Sequence, residues 1–386
     1  MLFVGIIVGL IVLVLLVVVH ELGHALVAKR NGVVVEEFGI GFPPTAKKWK
    51  PKKSILGKNV IISLNWLPLG GFVKLKGEYD AARGKGAYGA STFWVKTKIL
   101  LAGVAMNWLV AVLLFTILVL IGLPKILPQQ VVLPFDSRVE RSALTIATIQ
   151  PNSPATQAGL QQGDHLQSVG GRTIATPSEL VATTKERAGQ TVDISLVRDG
   201  QSLTLSAQLR TQDQAKSGGY LGVGSQQSEK IYSTWSAPLV AVATTGQLTY
   251  ETLKGVGTVL VKSVCGFFGQ FVGSDSSRQA ARADLANVSE NVAGPIGILG
   301  VLFPSVVDHG IDQVILLAAI ISLTLAVMNI LPIPALDGGR WATMAGFRLF
   351  GKSLTKEREE TVQATGMLIL LTLTLIVTAN DIGKLF

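Results

Sequence analysis

The stretch MLFVGIIVGLIVLVLLVVVHELGHALVAKR, residues 1–30, joins a long apolar run to three ionisable side chains, His20, Glu21 and His24. The first 19 residues carry no charge, and the apolar character continues to about Ala28. That length suits a helix crossing the roughly 30 Å hydrocarbon core of a bilayer. Because the run lacks a basic leading segment and a small-residue cleavage site, we expect a membrane helix rather than a cleaved signal peptide.

The composition of the chain indicates membrane spans together with at least one aqueous domain. Of the 386 residues, 48% are hydrophobic and only 15% are charged. The net charge of +9 is interpreted as membrane topology and headgroup contact, and since no zinc-finger or RNA-binding motif occurs, no nucleic-acid partner is expected. The single cysteine, Cys265, excludes an intramolecular disulfide and a thiolate cluster, which leaves His, Asp and Glu as metal ligands.

Three further apolar runs complete a set of about four predicted membrane helices. With the first span at 1–28, they cover residues 99–123, 314–336 and 364–380. The two short loops between consecutive spans are basic, since one contains KKWKPKK and the other carries Arg340, Arg348, Lys352, Lys356 and Arg358. By the positive-inside tendency, both loops are expected in the cytoplasm, and the long insert between the second and third spans on the opposite side.

The long insert divides into two parts. Residues 138–225 alternate short β-rich runs with turn residues and contain a helix start at Pro177, which predicts a small α+β domain. Residues 230–312 are apolar but interrupted by Lys254 and Lys262, which favours amphipathic helices at the membrane surface or beside the spans. A fifth span is the alternative, although an uninterrupted apolar run of about 20 residues is missing.

The spacing of His20 and His24 is typical of a zinc site. Side chains at i and i+4 share one face of a helix, so the two imidazoles can bind one ion, and Glu21 can reach a water activated by the metal. The bare motif also arises by chance. However, each ionisable group inside a membrane helix costs at least about 2.5 kcal/mol. A helix end that reaches the headgroups explains Lys29 and Arg30, but not an acid flanked by histidines.

A catalytic zinc site needs a third protein ligand and an open position. His165 and His309 have suitable chemistry, but both fall in the insert and are expected to be ordinary histidines. Asp337, in MNILPIPALDGGRW, is the better candidate because it ends the third span at the depth predicted for His20 and His24. The prolines and glycines around it break the helix, and broken backbone at membrane depth is tolerated where it is buried or lines a wet cavity.

Several motifs carry a resemblance that covers nearly the whole chain. In chain order they are HELGH at 20–24, GVAMN at 103–107, NVAGPIGI at 291–298 and NILPIPALDGG at 329–339. Two further motifs are similar to PDZ domains in the circularly permuted bacterial form: PATQAGLQQGD at 154–164 and the loop YLGV at 220–223. The chain thereby resembles the site-2 protease family of intramembrane zinc metalloproteases, in the bacterial PDZ-containing branch of the regulator of sigma-E protease type.

The resemblance implies one Zn²⁺ per chain, held by His20, His24 and Asp337, with Glu21 as the general base. It also implies residues that bind substrate or support the site, namely Asn107, Asn329, Pro332, Gly70, Gly71 and Phe72. The last three belong to a re-entrant β-hairpin expected at 60–78, which could pair with an unwound substrate. For the two asparagines, hydrogen bonding between helices is an equally good interpretation.

The implied fold is a multi-pass α-helical membrane protein with the re-entrant β-hairpin and an inserted PDZ-like α+β domain. Its membrane core would comprise residues 1–124 and 313–386, in a bacterial inner membrane, with the zinc site toward the cytoplasm. The implied activity is hydrolysis of peptide bonds in transmembrane segments of single-span proteins, such as anti-sigma factors, or of remnant signal peptides. The PDZ-like domain, outside the cytoplasm, would bind a peptide terminus or exclude untrimmed substrates.

Two other interpretations stay open from the sequence. A membrane-anchored zincin whose motif faces the cytosol would take its third ligand from Glu357, Glu359 or Glu360. A non-enzymatic scaffold would use the PDZ-like domain to hold partners. The chain also departs from many relatives, since it has Val104 where proline is common, one PDZ-like unit, and the variant segment IGFPPTAKK at 40–48. These departures leave the expected metal ligands unchanged.

Overall fold

The computed structural model describes residues 2–217, 219–269 and 294–385. Its helices are α1 (Leu2–Arg30), α2 (Phe93–Ile121), α3 (Pro154–Gln157), α4 (Pro177–Glu186), α5 (Ala237–Gly269), α6 (Pro295–His309), α7 (Ile311–Ile330), α8 (Asp337–Leu349) and α9 (Lys356–Leu385). Its strands are β1 (Val35–Trp49), β2 (Ile61–Leu75), β3 (Leu123–Pro124), β4 (Arg138–Arg141), β5 (Leu144–Ile149), β6 (His165–Val169), β7 (Arg172–Thr173), β8 (Thr191–Arg198), β9 (Gln201–Gln208), β10 (Val223–Gln226) and β11 (Glu229–Tyr232). The chain forms two compact units, one of residues 1–121 and 237–386 and the other of Gly122–Ser236.

Four helices among the described residues are long and apolar enough to cross a membrane: α1, α2, α7 and α9. Gly5 and Gly9 let α1 approach α6, because a Cβ on either glycine would lie within 2.6 Å of Pro304 or Phe303. Between the second and third spans, α5 packs along α2 and α7. It is one continuous helix of 33 residues instead of several short amphipathic helices.

The helix ends differ from the predicted spans for local reasons. The second span begins at Phe93 rather than at 99, because the Thr92 hydroxyl accepts the Val95 N–H and caps the helix. The third ends at Ile330 rather than at 336, because Leu331 is extended and the prolines that follow cannot continue a helix. The fourth begins at Lys356 rather than at 364, where Thr355 caps a charged first turn.

The β-hairpin expected at 60–78 is wrong in its pairing. Residues 61–64 and 71–75, the two arms of β2, both pair with residues 37–40 of β1 or their neighbours, so this run of β1 lies between the arms. Residues 45–49, the far end of β1, pair with 62–65 on the outer side. The glycine turn therefore joins two arms separated by a strand that lies some 30 residues earlier in the chain, which local sequence does not reveal.

The second unit is a β-rich domain with two short helices. Its main sheet has the order β10–β5–β6–β8–β9, with β7 beside β6, and its core includes the fully buried Ile146, Ile194 and Leu196. The helix α4 begins at Pro177 with Thr176 as its cap. The unit is wider than the predicted 138–225, because β4 joins β3 and β11 in a separate three-stranded sheet, and β3 and β11 lie on either side of that range.

Asp164, which ends the PATQAGLQQGD motif, ties this domain together. Its carboxylate accepts hydrogen bonds from Arg198 Nε (2.7 Å), Arg198 Nη2 (2.8 Å) and the Gln161 N–H (2.8 Å). The Arg198 guanidinium holds the pKa of Asp164 below its usual range. A depressed pKa contributes stability above the unfolded value of about 3.9, and this contribution is lost as the pH falls through the folded value.

We expect Asp164→Asn to destabilise this unit by about 1–3 kcal/mol at pH 7, because the buried Asp164 side chain loses the charge that strengthens its two hydrogen bonds from Arg198. The loss should shrink as the pH falls below about 4, where the native carboxyl is itself being protonated. Thermal unfolding of residues 122–236 as a function of pH measures both effects. Asp193→Asn is the matched control, since the Asp193 carboxylate is exposed and accepts a hydrogen bond from the Ser206 hydroxyl rather than from a guanidinium. Equal losses for the two variants would contradict the assignment.

Candidate metal centre

The two imidazoles of α1 lie side by side against α2. His20 Nε2 and His24 Nε2 are 3.1 Å apart, and both side chains are buried. His24 Nδ1 donates to the Ile99 carbonyl oxygen at 2.7 Å, which leaves its Nε2 lone pair facing His20. Two glycines permit this packing: a Cβ on Gly23 would lie 2.5 Å from the Ala102 oxygen, and one on Gly103 only 2.4 Å from His24 Nε2.

Gly103→Ala is expected to displace the imidazoles, and a shift of about 1 Å in reacting groups lowers the rate of a reaction that depends on them by roughly a hundredfold. Zinc content of the purified protein should fall with it. Gly246→Ala is the matched control, because a Cβ added to this glycine of α5 would meet no described residue within 4 Å, the backbone of its own helix apart. Full activity and zinc content in Gly103→Ala would show that the two helices can separate without affecting the site.

Asp337 reaches the histidines because the chain turns sharply between α7 and α8. Ala335, two residues earlier, has a φ of +77°, and its N–H donates to Gln363 Oε1 of α9 at 2.7 Å. A Cβ on Gly338 would lie 2.1 Å from the Ile330 oxygen, and one on Gly339 would lie 1.8 Å from the Ile333 oxygen. Only glycine therefore allows the first turn of α8 to close onto this loop.

The ligand atoms of His20, His24 and Asp337 form a nearly equilateral triangle. Asp337 Oδ2 lies 3.1 Å from His20 Nε2 and 3.2 Å from His24 Nε2. Ligands at about 2.0–2.1 Å from a tetrahedral zinc ion are about 3.3 Å apart, so the spacing fits. Asp337 Oδ2 is buried and has no hydrogen-bond partner among the residues that the structure describes, so its lone pair is free to coordinate a cation. Among the described residues, these three form the one group of potential ligands close enough to share a metal.

Glu21 faces a cavity of about 170 Å³ next to the triangle. His24 and Asp337 also line it, as do Val73 of β2, Tyr88 and Arg340. Burial raises the pKa of the Tyr88 phenol well above its usual range, so the hydroxyl stays protonated at the wall of the cavity. A carboxylate and a metal site thus share one small chamber.

Arg340 and Glu359 form a buried ion pair behind this cavity, which the sequence did not predict. Arg340 Nε donates to Glu359 Oε1 at 3.0 Å, its Nη2 donates to the Glu78 carbonyl oxygen, and its guanidinium lies over the Tyr88 ring. Glu359 Oε2 accepts the Asp80 N–H at 2.8 Å. Both oxygens of Glu359 are therefore engaged away from the histidines, which argues against Glu359 as the third ligand.

Comparison with known proteins identifies the family. Residues 8–373 match the model of peptidase family M50. The chain belongs to this family. It is 26% identical to the regulator of sigma-W protease RasP of Bacillus subtilis and 26% identical to the zinc metalloprotease RasP of Geobacillus kaustophilus, with 96% of both chains covered in each case. A solved PDZ domain of an SdrC-like protein from Listeria monocytogenes covers 25% of the chain at 18% identity, with a TM-score of 0.19.

Membership of family M50, also called the site-2 protease family, makes the protein a zinc metalloprotease with several membrane-spanning helices. Of the three predicted site residues in β2, one lies beside Glu21 and two pack elsewhere. Gly71 lies beside Glu21, since a Cβ added to this glycine would be 3.7 Å from Glu21 Cγ, whereas Gly70 packs on Phe42 and Phe72 on Gly39.

The two asparagines of this M50 protease also differ. Asn107 is buried with its amide nitrogen 3.5 Å from His20 Nδ1, and no described residue hydrogen-bonds to its amide oxygen. Asn329 lies in the last turn of α7, and no described residue hydrogen-bonds to its side chain. Pro332 is exposed in the loop before Asp337. Of NVAGPIGI, residues 291–293 lie outside the described residues.

Proposed function

We propose that this M50 protease hydrolyses peptide bonds within transmembrane segments of single-span membrane proteins. The observation that supports it most is the meeting of His20, His24 and Asp337 with Glu21 beside one cavity, on helices that are themselves membrane spans or adjoin them. Water-consuming chemistry at that depth suits a substrate whose reactive bond also lies in the membrane.

The residues then have distinct roles. His20, His24 and Asp337 would hold the zinc ion, which would supply Lewis-acid chemistry to the scissile carbonyl and to the attacking water. Glu21 takes the proton of the attacking water and passes it to the leaving nitrogen. Asn107 supports His20: with its amide turned by 180°, the buried oxygen accepts the Nδ1–H and leaves Nε2 free for the metal.

The second arm of β2, residues 71–75, is proposed to hold the substrate. Residues 71–75 pair with β1 on one side, Gly71 lies beside Glu21, and Val73 lines the same cavity as Glu21. A transmembrane helix must unwind before hydrolysis, and a strand edge beside the base can pair with its freed amides. Phe42, Trp66 and Leu67 are exposed where the chain turns, which supports insertion of this sheet into the bilayer.

The basic short loops support a topology with the zinc site toward the cytoplasm and the PDZ-like second unit outside it, in a bacterial inner membrane. The sigma-W regulator among the relatives favours a membrane-bound anti-sigma factor as substrate. Remnant signal peptides are the alternative substrates, since hydrolysis of their peptide bonds would need the same chemistry. The second unit would capture a peptide terminus or exclude substrates with an intact outer domain.

Cleavage of a purified single-span substrate in proteoliposomes tests this function. We expect cleavage that maps by mass spectrometry to the membrane segment, stops with a zinc chelator and returns with added zinc. Cleavage only outside the segment, or cleavage insensitive to chelation, would contradict the proposal. Deleting residues 140–225 should relax discrimination against untrimmed substrates, and unchanged discrimination would argue against the role of the second unit.

Cross-linking in the same vesicles tests the strand edge. With Cys265 replaced by serine, Lys74→Cys should form a disulfide with a cysteine near the scissile bond of the substrate. The matched control is Lys48→Cys, which lies at the other edge of the same sheet, beside residues 62–65. Equal cross-linking at both positions would show that the substrate does not pair with residues 71–75.

A further inference from the structure

A second cavity of the membrane unit, of about 370 Å³, lies apart from the metal centre. The loop before α2, the first turn of α2, the end of α8 and the segment before α9 enclose it. Its charged lining residues are Arg83, Lys96, Arg348, Lys352 and Asp80. Four cations therefore converge on one space that has a single carboxylate.

The cations of this cavity are only partly compensated. Lys96 is buried and forms an ion pair with Asp80. Arg83 donates to the carbonyl oxygens of Asp80 and Ala82, both at 3.2 Å, and the Arg348 guanidinium lies over the Phe93 ring. Within residues 2–217, 219–269 and 294–385, neither Arg348 nor Lys352 forms an ion pair. Like charges held around one cavity repel each other, and an anion between them removes that cost.

The chemistry of the lining selects a phosphate group over a carboxylate. Two guanidinium forks and two ammonium groups together match a tetrahedral anion with several oxygens. The Ser91 and Thr92 hydroxyls, which also line the cavity, add neutral hydrogen-bonding groups.

The surroundings of the cavity favour a phosphate attached to lipid. Trp94 and Leu349 directly follow lining residues in the chain, and Phe350 comes next after Leu349; their side chains are 71%, 82% and 75% exposed. Large apolar side chains exposed to this extent beside a basic cavity suit acyl chains next to a headgroup. A soluble phosphate would leave them in water.

We propose that this cavity binds the phosphate group of an anionic phospholipid. The site uses Arg348 and Lys352 as its accessible contacts and Lys96 as its buried one. It is separate from the metal centre and holds whether or not the protease acts within the membrane.

The test uses the purified full-length protein and the double variant Arg348→Gln, Lys352→Gln, whose side chains are exposed, so that the fold should persist. Lys52→Gln, Lys53→Gln is the control, with the same loss of charge at exposed positions elsewhere. One arm counts phosphatidylglycerol and phosphatidylcholine molecules retained in native mass spectrometry. The other measures stabilisation by inorganic phosphate against chloride at equal ionic strength.

We expect the wild type and the control to retain phosphatidylglycerol preferentially, and the double variant to bind it at least about tenfold more weakly. Stabilisation by inorganic phosphate without lipid preference, lost in the double variant, would keep the phosphate site but overturn the lipid as its source. Equal binding by the double variant and the control in both arms would overturn the site.

Discussion

Glu21→Gln is expected to lower peptide hydrolysis by about 10²–10⁴-fold while the zinc content stays at that of the wild type. The amide keeps the shape of the side chain but cannot take a proton from water, and proton transfer by a positioned base contributes about this much. Since Glu21 is not one of the three residues that form the ligand triangle, the metal should remain. Single-turnover cleavage and metal analysis of the same sample measure both quantities.

Glu78→Gln is the matched control for this prediction. Glu78 lines the same cavity as Glu21, so the chemical change and its location are alike. We expect the control to keep most of the activity. If Glu78→Gln abolished hydrolysis and Glu21→Gln did not, the base would be misassigned. Loss of zinc from Glu21→Gln would make Glu21 a ligand.

Asp337→Ala is expected to reduce zinc affinity by roughly a hundredfold or more, beyond the 10–100-fold typical of residues that only support a ligand. The change removes one corner of the triangle and leaves two imidazoles, too few for a catalytic site. Competition with a zinc chelator measures the affinity. Hydrolysis should be lost in parallel.

Two further variants test whether the loss of zinc is specific to Asp337. Asp308→Ala removes an exposed carboxylate near the end of α6 and should leave zinc affinity unchanged. Glu359→Ala removes the alternative ligand of a cytosol-facing zincin. Because both oxygens of Glu359 bond to Arg340 and Asp80, we expect zinc to stay bound. Loss of zinc from Glu359→Ala, with retention in Asp337→Ala, would establish that alternative.

Local sequence was sufficient for the features that depend on neighbours in the chain. Helix geometry alone places His20 and His24 on one face, and two prolines account for the end of the helix before Asp337. The strand at 144–149 and the helix start at Pro177 were also readable from alternation and capping. In each case the physical determinant lies within about ten residues of its effect.

The remaining features depend on contacts between distant segments. The run of residues 37–40 between the two arms of β2, and the Arg340–Glu359 pair behind the cavity, leave no local signal. Gly103 shows the difference between recognising a motif and explaining it. The GVAMN motif was recognised by resemblance, but its physical reason, room for two imidazoles from another helix, required the packed structure.

Zinc K-edge X-ray absorption on the purified, zinc-loaded Glu21→Gln protein would identify the metal ligands without hydrolysis altering the sample. We expect one zinc ion with nitrogen and oxygen ligands at about 2.0–2.1 Å and scattering from two imidazoles. The chain contains four histidines, so a different count is possible. Three imidazoles, or sulfur at about 2.3 Å, would contradict a site made of His20, His24 and Asp337.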